Sequence, residues 1–353
     1  MNIILNKIEE SYRKNLPFVV YNKPNSKRVM ALFQKDEVLH TLTSNFDDQG
    51  FVFAPFNSIN PTVFFPLTHS EFIKANLKLE EINNQNSKNC NESSKSFHIK
   101  LVEKALLSIK QNEFKKVVIS REEIVEINEF DISLIYSKLL QLYPNAFVYV
   151  WFHPKIGLWF GATPETLLKV ENNKFATMSL AGTLAYNDGK QPNWSSKEIE
   201  EQELVTEYIV HKLSSFSKNL HISETQTVKA GSLLHLRTEI KGELDLQKNN
   251  GLFSLIDLLH PTPAVCGLPK EAAKEFILEN ENYNRSYYTG FLGELNMSEN
   301  EKKDSHLFVN LRCMEIKEKK AHIYIGGGIT KESNPEKEWE ETLAKSNIML
   351  NVL

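Results

Sequence analysis

The sequence has few cysteines, no surplus of basic over acidic residues and no long apolar runs. The three cysteines, Cys90, Cys266 and Cys313, are widely spaced and match no metal-ligand motif, so we expect reduced thiols. A net charge of −4 lacks the basic excess of a nucleic-acid-binding protein. No apolar run approaches the roughly 18 residues of a membrane span, and the first residues lack the apolar core of a signal peptide. These absences predict a cytoplasmic protein whose partners are neither nucleic acid nor membrane.

The common nucleotide-binding and hydrolase signatures are also missing, since the sequence contains no G-x-G-x-x-G, Walker or G-x-S-x-G motif. What is present is a chain of 353 residues, 41% hydrophobic, which is long enough to bury a sizeable core. The stretch 82–96 is polar and predicts a linker or exposed loop. It separates a strand-rich region, 1–96, from a core, 97–353, and we expect both to belong to one globule.

Secondary-structure patterns favour one fold class. Segments rich in β-branched and aromatic residues predict strands on both sides of the polar stretch. Helical periodicity predicts helices at 97–110, 131–142, 196–217, 251–260 and 335–350. Several predicted strands follow one another through short connections without a crossover helix, as at 151–158 and 313–323. This predicts an α+β fold of mixed, mostly antiparallel sheets with helices outside, rather than a doubly wound parallel sheet.

Two of the predicted helices each present a pair of carboxylates three residues apart, hence on one helix face: Glu198 with Glu201, and Glu338 with Glu341. Two such pairs together suit a magnesium ion, which binds one or two carboxylates and keeps its other positions for water or substrate. Two simpler explanations stay open. Ser195 and Glu198 have the spacing of a capping box, and Glu341 is placed to pair with Lys345 on an exposed surface.

Three further segments contain candidate site residues. In "FKKVVISR", strand alternation sends Lys115 and Lys116 to opposite faces; a buried lysine is a candidate base, and a strand-edge lysine reaching water is the alternative. In "FGATPETLL", Glu165 is expected at the start of a short helix, as a first-turn residue or as a general acid. In "SLAGT", Gly182 and Thr183 are expected at a strand end, where backbone N–H groups can bind an anion.

In this order, the segments resemble the chorismate-utilising enzymes and, within them, the isochorismate synthases. The resemblance covers about residues 97–353 and rests on nine motifs: "KVVISR", "GATPE", "LAGT", "KEIEEQELV", "HPTPAVCG", "YYTGFLG", "VNLRCMEI", "GGGI" and "PEKEWEETLAK". It implies a single α+β domain in which two large sheets pack together around a deep active-site cleft.

The resemblance also implies chorismate as substrate and Mg²⁺ as cofactor. The implied metal ligands are Glu198, Glu201, Glu338 and Glu341. The implied substrate contacts are Gly182, Thr183, His260, Ala264, Tyr288, Arg312, Gly326, Gly327, Gly328 and Lys345, with the three glycines expected in a turn before the last helix. Lys116 is the implied base and Glu165 the implied acid.

Within the family, the residue at Ala181 and the lysine at Lys116 distinguish reactions. Aminodeoxychorismate synthases have a nucleophilic lysine in place of Ala181, and water-using members have the lysine at 116, so the resemblance implies an isochorismate synthase. Two departures are mild: Gln202 stands where many relatives have His, and Gly327 where Ala is usual.

Alternatives stay open for both activity and context. A salicylate synthase would share nearly all of these residues, a non-catalytic relative would bind a carboxylate without turnover, and a structural protein would have merely soluble acidic helices. The oligomeric state, monomer or homodimer, stays open, as does the choice between a menaquinone and a siderophore pathway.

Overall fold

The computed structural model describes residues 1–42, 47–78, 94–189, 191–217, 219–244, 251–297 and 303–353. Its α-helices are α1 (Asn2–Arg13), α2 (Lys95–Lys110), α3 (Ile132–Leu142), α4 (Ser196–Leu213), α5 (Gly251–Leu259), α6 (Lys270–Asn280) and α7 (Pro335–Leu350). Its strands are β1 (Phe18–Asn22), β2 (Arg28–Gln34), β3 (Thr41–Leu42), β4 (Gly50–Ala54), β5 (Thr62–Pro66), β6 (Ser70–Asn76), β7 (Lys116–Glu126), β8 (Phe147–His153), β9 (Gly157–Thr163), β10 (Thr166–Glu171), β11 (Lys174–Ala185), β12 (His221–Ile222), β13 (Gln226–Ala230), β14 (Leu233–Glu243), β15 (Gly267–Leu268), β16 (Phe291–Leu295), β17 (Ser305–Val309), β18 (Cys313–Lys317) and β19 (Lys320–Ile329).

These strands form two large antiparallel sheets. The first has the order β15-β7-β19-β18-β9-β8-β1-β2-β6, and the second has the order β12-β14-β11-β10-β17-β16-β4-β5-β3, with β13 also paired to β14. The short connections seen in the sequence are hairpins, such as β8–β9 and β18–β19. The predicted α+β class with mostly antiparallel sheets is therefore confirmed.

The amino-terminal region contributes strands to both sheets. β1, β2 and β6 extend the first sheet through β8, while β3, β4 and β5 extend the second through β16. The predicted linker 82–96 lies outside the described residues as far as residue 93, and its last residues begin α2. The division at residue 96 stays a prediction, although the sheets take strands from both sides of it.

An aromatic core joins the two sheets. Trp151 and Trp159 of the first sheet are fully buried against Phe53 of the second and Tyr287, and Tyr21 packs against Phe51. Phe53 stacks on Tyr287 with ring centroids 4.4 Å apart. Helices cover the outer faces, with α3 against the first sheet and α4 with α5 against the second. None of the described helices is long and apolar enough to cross a bilayer.

The sequence analysis did not predict two of the helices, and the short helix that it predicted at Glu165 is not formed. α1 and α6 each bury apolar residues at helical spacing, for example Ile4 with Ile8 and Ala273 with Ile277. Glu165 does not begin a helix, because it lies in the two-residue connection between β9 and β10. There the pairing of β10 with β11 and β17 overrides the local helix-start pattern.

Both acidic helices are fixed to the sheets by buried polar contacts. On α7, Asn334 caps the amino terminus, and Arg121 of β7 donates to Thr342 Oγ1 at 2.9 Å and lies over the Trp339 ring. On α4, Gln202 donates through Nε2 to Ser179 Oγ at 2.8 Å. Gln202 thus anchors α4 to the second sheet one residue beyond Glu201, which gives this departure from the family pattern a structural role.

Candidate active site

The site is a small cavity between the two sheets, with a volume of about 70 Å³. β19 supplies one wall, β11 and β14 supply another, and side chains of α4 and α7 reach it. Ten of the predicted site residues line it: Glu165, Gly182, Thr183, Glu201, Ala264, Tyr288, Arg312, Gly326, Gly328 and Lys345. These ten are half of the residues that line the cavity.

The three glycines lie within strand β19, not in a turn. They pair with Ser120, Ile119 and Val118 of β7, and the pairing of β19 with β18 ends at Tyr324, so the cavity opens beside the glycines. The missing side chains permit close approach. A Cβ at Gly328 would lie 2.1 Å from Glu201 Oε1, and a Cβ at Gly326 would lie 2.6 Å from the Tyr288 hydroxyl.

Gly327 differs from its neighbours because it does not line the cavity. A Cβ there would lie 3.5 Å from Glu338 Oε2 and 3.6 Å from Glu341 Oε1, which are ordinary contact distances. The position therefore accepts the alanine that is usual in the family, and its predicted role as a substrate contact is not supported by this placement.

Three of the four predicted metal ligands converge on one lysine. Lys197 Nζ lies 3.0 Å from Glu338 Oε1, 3.6 Å from Glu201 Oε2 and 3.9 Å from Glu341 Oε2. Lys345 pairs with Glu341 from the other side at 2.5 Å and donates to Gly326 O at 2.8 Å. All of these groups are buried or nearly so. The result is a cluster of three carboxylates and two ammonium groups at one end of the site.

The cluster displaces the pKa values of its members in opposite directions. Burial, reinforced by the charge of Glu341, raises the pKa of Glu338 to about 7. Burial opposes ionisation of Glu341 as well, but Lys345 and Lys197 outweigh it and hold the pKa of Glu341 at about 2. Burial also disfavours the charged form of Lys197, yet the three carboxylates raise its pKa above the ordinary value.

Glu198 does not join this cluster. Its carboxylate accepts hydrogen bonds from the backbone N–H and the hydroxyl of Ser195, which completes the capping box of α4. The local explanation of Glu198 is thus confirmed. Its Cβ lies beside Gly182, so the residue borders the site, but its carboxylate is bound to the helix terminus and is not placed as a ligand.

Lys116 and Glu165 form the other end of the site. Lys116 is fully buried, its Nζ lies 3.1 Å from Glu201 Oε1, and burial lowers its pKa despite that partner. Glu165 is 3% exposed, and burial raises its pKa to about 8 against the opposing charges of Lys116 and Arg312. Lys116 points inward as strand alternation allowed, but it lies behind Glu201 and does not itself line the cavity.

A bulge in β11 positions the predicted anion contacts. Gly182 has φ +70°, and the register of β11 on β14 shifts between Ala181 and Leu184. The bulge lies inside the strand rather than at its end, and it turns Gly182 O towards His235. His235 Nδ1 donates to that oxygen at 2.7 Å, so Nε2 is left to accept from Arg312 Nη2 at 3.1 Å.

Arg312 is positioned to bind an anion. It has φ +48°, which is uncommon for a residue with a side chain and is typical of functional sites when it occurs. The residue is half-buried, but its Nη1 is inaccessible to solvent and has no hydrogen-bond partner among the described residues. Burial and Arg312 lower the pKa of His235 to about 3, so the imidazole is neutral and can accept from Arg312.

One predicted substrate contact is wrong in its placement. His260 Nε2 lies 3.2 Å from Pro55 O, the ring packs edge-on against Phe291, and it is not one of the cavity-lining residues in the described chain. Burial lowers its pKa to about 4. His260 therefore acts in packing, four residues before Ala264, which does line the cavity.

Among the site residues that the sequence analysis missed, Lys197 and His235 make the polar contacts that organise the predicted groups. Lys197 stands next to Glu198 at the start of α4, where a lysine attracts no notice. His235 lies in a strand without a recognisable motif. The contacts of both residues are mostly with residues distant in the chain, which the sequence does not reveal. The one local signal is the spacing of Lys197 and Glu201, which are four residues apart and therefore share a helix face.

The donor set has the chemistry that a magnesium ion prefers, but its oxygens surround Lys197 Nζ and do not all lie within 4.8 Å of one another. Its oxygens come from Glu201, Glu338 and Glu341, and carboxylates are the side chains that Mg²⁺ prefers. Glu338 Oε2 is buried without a hydrogen-bond partner among the described residues. Lys197 already supplies a positive charge in the middle of these groups, which indicates a place where a cation is stabilised.

Comparison with known proteins agrees with this geometry. The profile of the family described as chorismate binding enzyme matches residues 61–353. The chain belongs to the chorismate-binding enzymes. Among the relatives of this chorismate-binding enzyme, isochorismate synthase EntC of Escherichia coli is 32% identical over 250 residues, 67% of this chain. The vibriobactin-specific isochorismate synthase of Vibrio cholerae is 26% identical over 97% of this chain and 87% of its own.

Solved structures support the fold. The Bacillus anthracis protein described as a 2,3-dihydroxybenzoate-specific isochorismate synthase, DhbC, aligns over 99% of both chains with a TM-score of 0.80 and 24% identity. Anthranilate synthase component I of Streptococcus pneumoniae aligns over 94% of this chain and 90% of its own, with a TM-score of 0.68 and 18% identity. The fold is therefore common to different reactions. The alignment with the Escherichia coli relative spans 62% of that protein's length.

Proposed function

We propose that this protein converts chorismate to isochorismate with Mg²⁺ as cofactor. The observation that best supports the proposal is the pair of opposite pKa displacements: a buried lysine whose pKa is lowered and a buried glutamate whose pKa is raised to about 8. A base must be neutral and an acid protonated to act, and neither group has that state in water at pH 7. Several of the relatives are named isochorismate synthases.

Lys116 and Glu165 divide the proton transfers. Lys116 accepts a proton from a water molecule whose oxygen bonds to C2 of the chorismate ring. The ring double bonds shift, the C4–O bond breaks, and Glu165 gives its proton to the departing hydroxyl, which leaves as water. One water enters and one leaves, so the product is an isomer of the substrate. Lys116 then returns its proton and Glu165 regains one, which restores both groups.

The remaining residues bind and orient the substrate. Arg312 offers the unpartnered Nη1 to a carboxylate, His235 fixes the plane of that guanidinium, and Tyr288 and Ala264 form the wall of the cavity. Glu201, Glu338 and Glu341 would hold the magnesium ion. When bound, the ion supplies charge that binds the ring carboxylate and withdraws electrons from the ring. Lys116 loses its ion-pair partner to the extent that Glu201 turns to the metal, which would free its amine to act as a base.

The test is to incubate the purified protein with chorismate and MgCl₂ and to identify the products by chromatography and NMR. We expect isochorismate. Salicylate fluorescence in the same reaction would instead indicate a salicylate synthase, because pyruvate would then be eliminated in the same site. Binding of chorismate without any product would show that the protein is a non-catalytic relative that binds a carboxylate. The relatives include vibriobactin-specific and menaquinone-specific enzymes, so they favour neither pathway.

A further inference from the structure

A second, larger cavity adjoins the active site, and we call it the vestibule. Its volume is about 780 Å³, and its walls are the segment that follows α3, the β13–β14 hairpin and the carboxyl end of α7. It shares Pro164, Leu180 and Arg312 with the inner cavity, so these three residues stand between the two spaces. The vestibule is thus the space next to the chemistry on the Arg312 side.

The sizes of the two cavities indicate a division of roles. Pockets that bind small molecules usually measure roughly 300–1,000 Å³. The inner cavity, at about 70 Å³, is too small to hold a ten-carbon dicarboxylate as it stands, whereas the vestibule is within the usual range. A ligand therefore has room in the vestibule before the inner cavity adjusts around it.

The charges of the vestibule all have one sign. Lys229, Arg237 and Arg312 line it, and its wall contains no carboxylate among the described residues. Two acidic groups lie close to these cations without lining the vestibule: Asp188 accepts from the Tyr186 hydroxyl at 3.0 Å, and Glu239 pairs with Lys241 at 2.8 Å and also interacts with Arg237. The positive charge inside is therefore not neutralised by the wall itself.

The three cations line the vestibule from different directions, because Lys229 pairs with Leu234 and so lies on the opposite face of the β13–β14 hairpin from Arg237. Lys229, at the rim, lies 3.4 Å from the Tyr186 ring centroid. Arg237 lies on β14, two residues after His235 and hence on the same strand face, which is the face directed towards Arg312. Arg312 lines both cavities, and its Nη1 has no hydrogen-bond partner among the described residues. Walls of one sign around a cleft raise the local concentration of the opposite ion and its rate of entry.

We propose that the vestibule is an outer binding site for a small dicarboxylate anion, in which Lys229 and Arg237 take up the ligand and Arg312 receives it at the entrance of the inner cavity. The proposal deepens the proposed function and rests on it, because the dicarboxylate in question is chorismate. Lys229 and Arg237 act before the chemical step, so they influence capture of the substrate and not its conversion.

The test is the salt dependence of kcat/KM for chorismate in the double variant Lys229→Gln, Arg237→Gln. At an ionic strength of about 0.02 M we expect kcat/KM to fall about tenfold, within the range known for electrostatic steering, while kcat at saturation changes less than about twofold. The wild type should lose this advantage near 0.3 M salt, because screening shortens the reach of the charges. Arg237→Lys, which keeps the charge, should retain most of the wild-type value.

The matched control is Lys100→Gln, Lys110→Gln, which removes the same charge from exposed positions on α2, outside the vestibule. It should leave kcat/KM and its salt dependence as in the wild type. Equal losses in the two double variants, or a loss of kcat with an unchanged salt dependence, would overturn the proposal.

A binding measurement separates this proposal from the proposed function. Calorimetric titration of Glu165→Gln with chorismate at low salt should give a weaker affinity when Lys229 and Arg237 are also replaced. If the wild type fails to convert chorismate, the proposed function fails, but the titration still decides whether the vestibule captures the anion. An affinity that is identical with and without the two cations would refute the outer site, whether or not turnover occurs.

Discussion

Both ends of the active site are largely buried, but neighbouring charges offset burial to different extents at the two ends. At the acid–base end, burial is the largest influence on Lys116 and Glu165, and both are driven towards their neutral forms. At the carboxylate end, Lys197 and Lys345 outweigh burial, and Glu341 stays ionised with a pKa of about 2. The comparison teaches that burial alone does not determine protonation. Compensation by neighbouring charges decides which groups transfer protons and which bind a cation.

The largest effect should come from removing the acid or the base. We expect Lys116→Ala and Glu165→Gln each to lower kcat by about 10²- to 10⁴-fold, the usual contribution of a positioned acid or base. Magnesium affinity, measured by calorimetry, should stay within a few-fold in Glu165→Gln, because that residue belongs to the other end of the site. Near-normal turnover of either variant would contradict the assignment of that residue as the acid or the base.

At the carboxylate end, Glu341→Gln should weaken magnesium binding by at least about 100-fold, since even residues that only support metal ligands contribute about 10- to 100-fold. The matched control is Glu340→Gln on the same helix, which removes an exposed carboxylate with the same change of charge. Calorimetric titration with MgCl₂ should leave the control unchanged. Equal affinities for the two variants would show that the buried cluster does not bind the ion.

The glycines of β19 offer a sharper comparison between neighbouring positions. Gly328→Ala should lower kcat/KM by about tenfold or more, because the new Cβ would displace Glu201 and crowd Lys116, two groups that the chemistry requires in place. Gly327→Ala should stay within about threefold of the wild type, because its Cβ meets only ordinary contacts. Steady-state kinetics measures both. If the two substitutions had the same effect, the close approach of Glu201 to β19 would be refuted.

The smallest effect on activity, but a clear one on stability, is expected for Lys197→Met. Breaking a buried ion pair by removing one partner costs roughly 3–5 kcal/mol, so the metal-free variant should unfold at a lower temperature than the wild type. MgCl₂ should raise the Tm of the variant more than that of the wild type, because the ion replaces the missing charge. The control Lys331→Met, which removes an exposed partner of Glu200, should change neither value; equal magnesium-induced shifts in all three proteins would contradict the account.

Local signals predicted the fold well where one residue determines an element. The helix predicted at 335–350 is α7, which Asn334 caps, and the short connections without a crossover helix correctly predicted antiparallel sheets. Local signals failed where tertiary pairing dominates. The Thr-Pro-Glu sequence before Thr166 suggests a helix start, but strand pairing on both sides of β10 keeps Glu165 in an extended connection.

The site was predictable only in part for a similar reason. Lys116, Glu165 and the three convergent glutamates belong to recognisable motifs, whereas Lys197 gains its role from α7, and His235 from Gly182 and Arg312. Such a role depends on contacts between residues far apart in the chain, which one sequence does not reveal. His260 shows the reverse error, because it belongs to a family motif but packs against Pro55 instead of the cavity.

The most direct test of the central claim follows the oxygen atom. The enzyme is supplied with chorismate and MgCl₂ in water enriched in ¹⁸O, and the product is analysed by mass spectrometry and NMR. If Lys116 activates water for attack at C2 while Glu165 expels the C4 hydroxyl, the isochorismate must contain one solvent oxygen, bonded to C2. Isochorismate without the label would contradict the assignment of both residues.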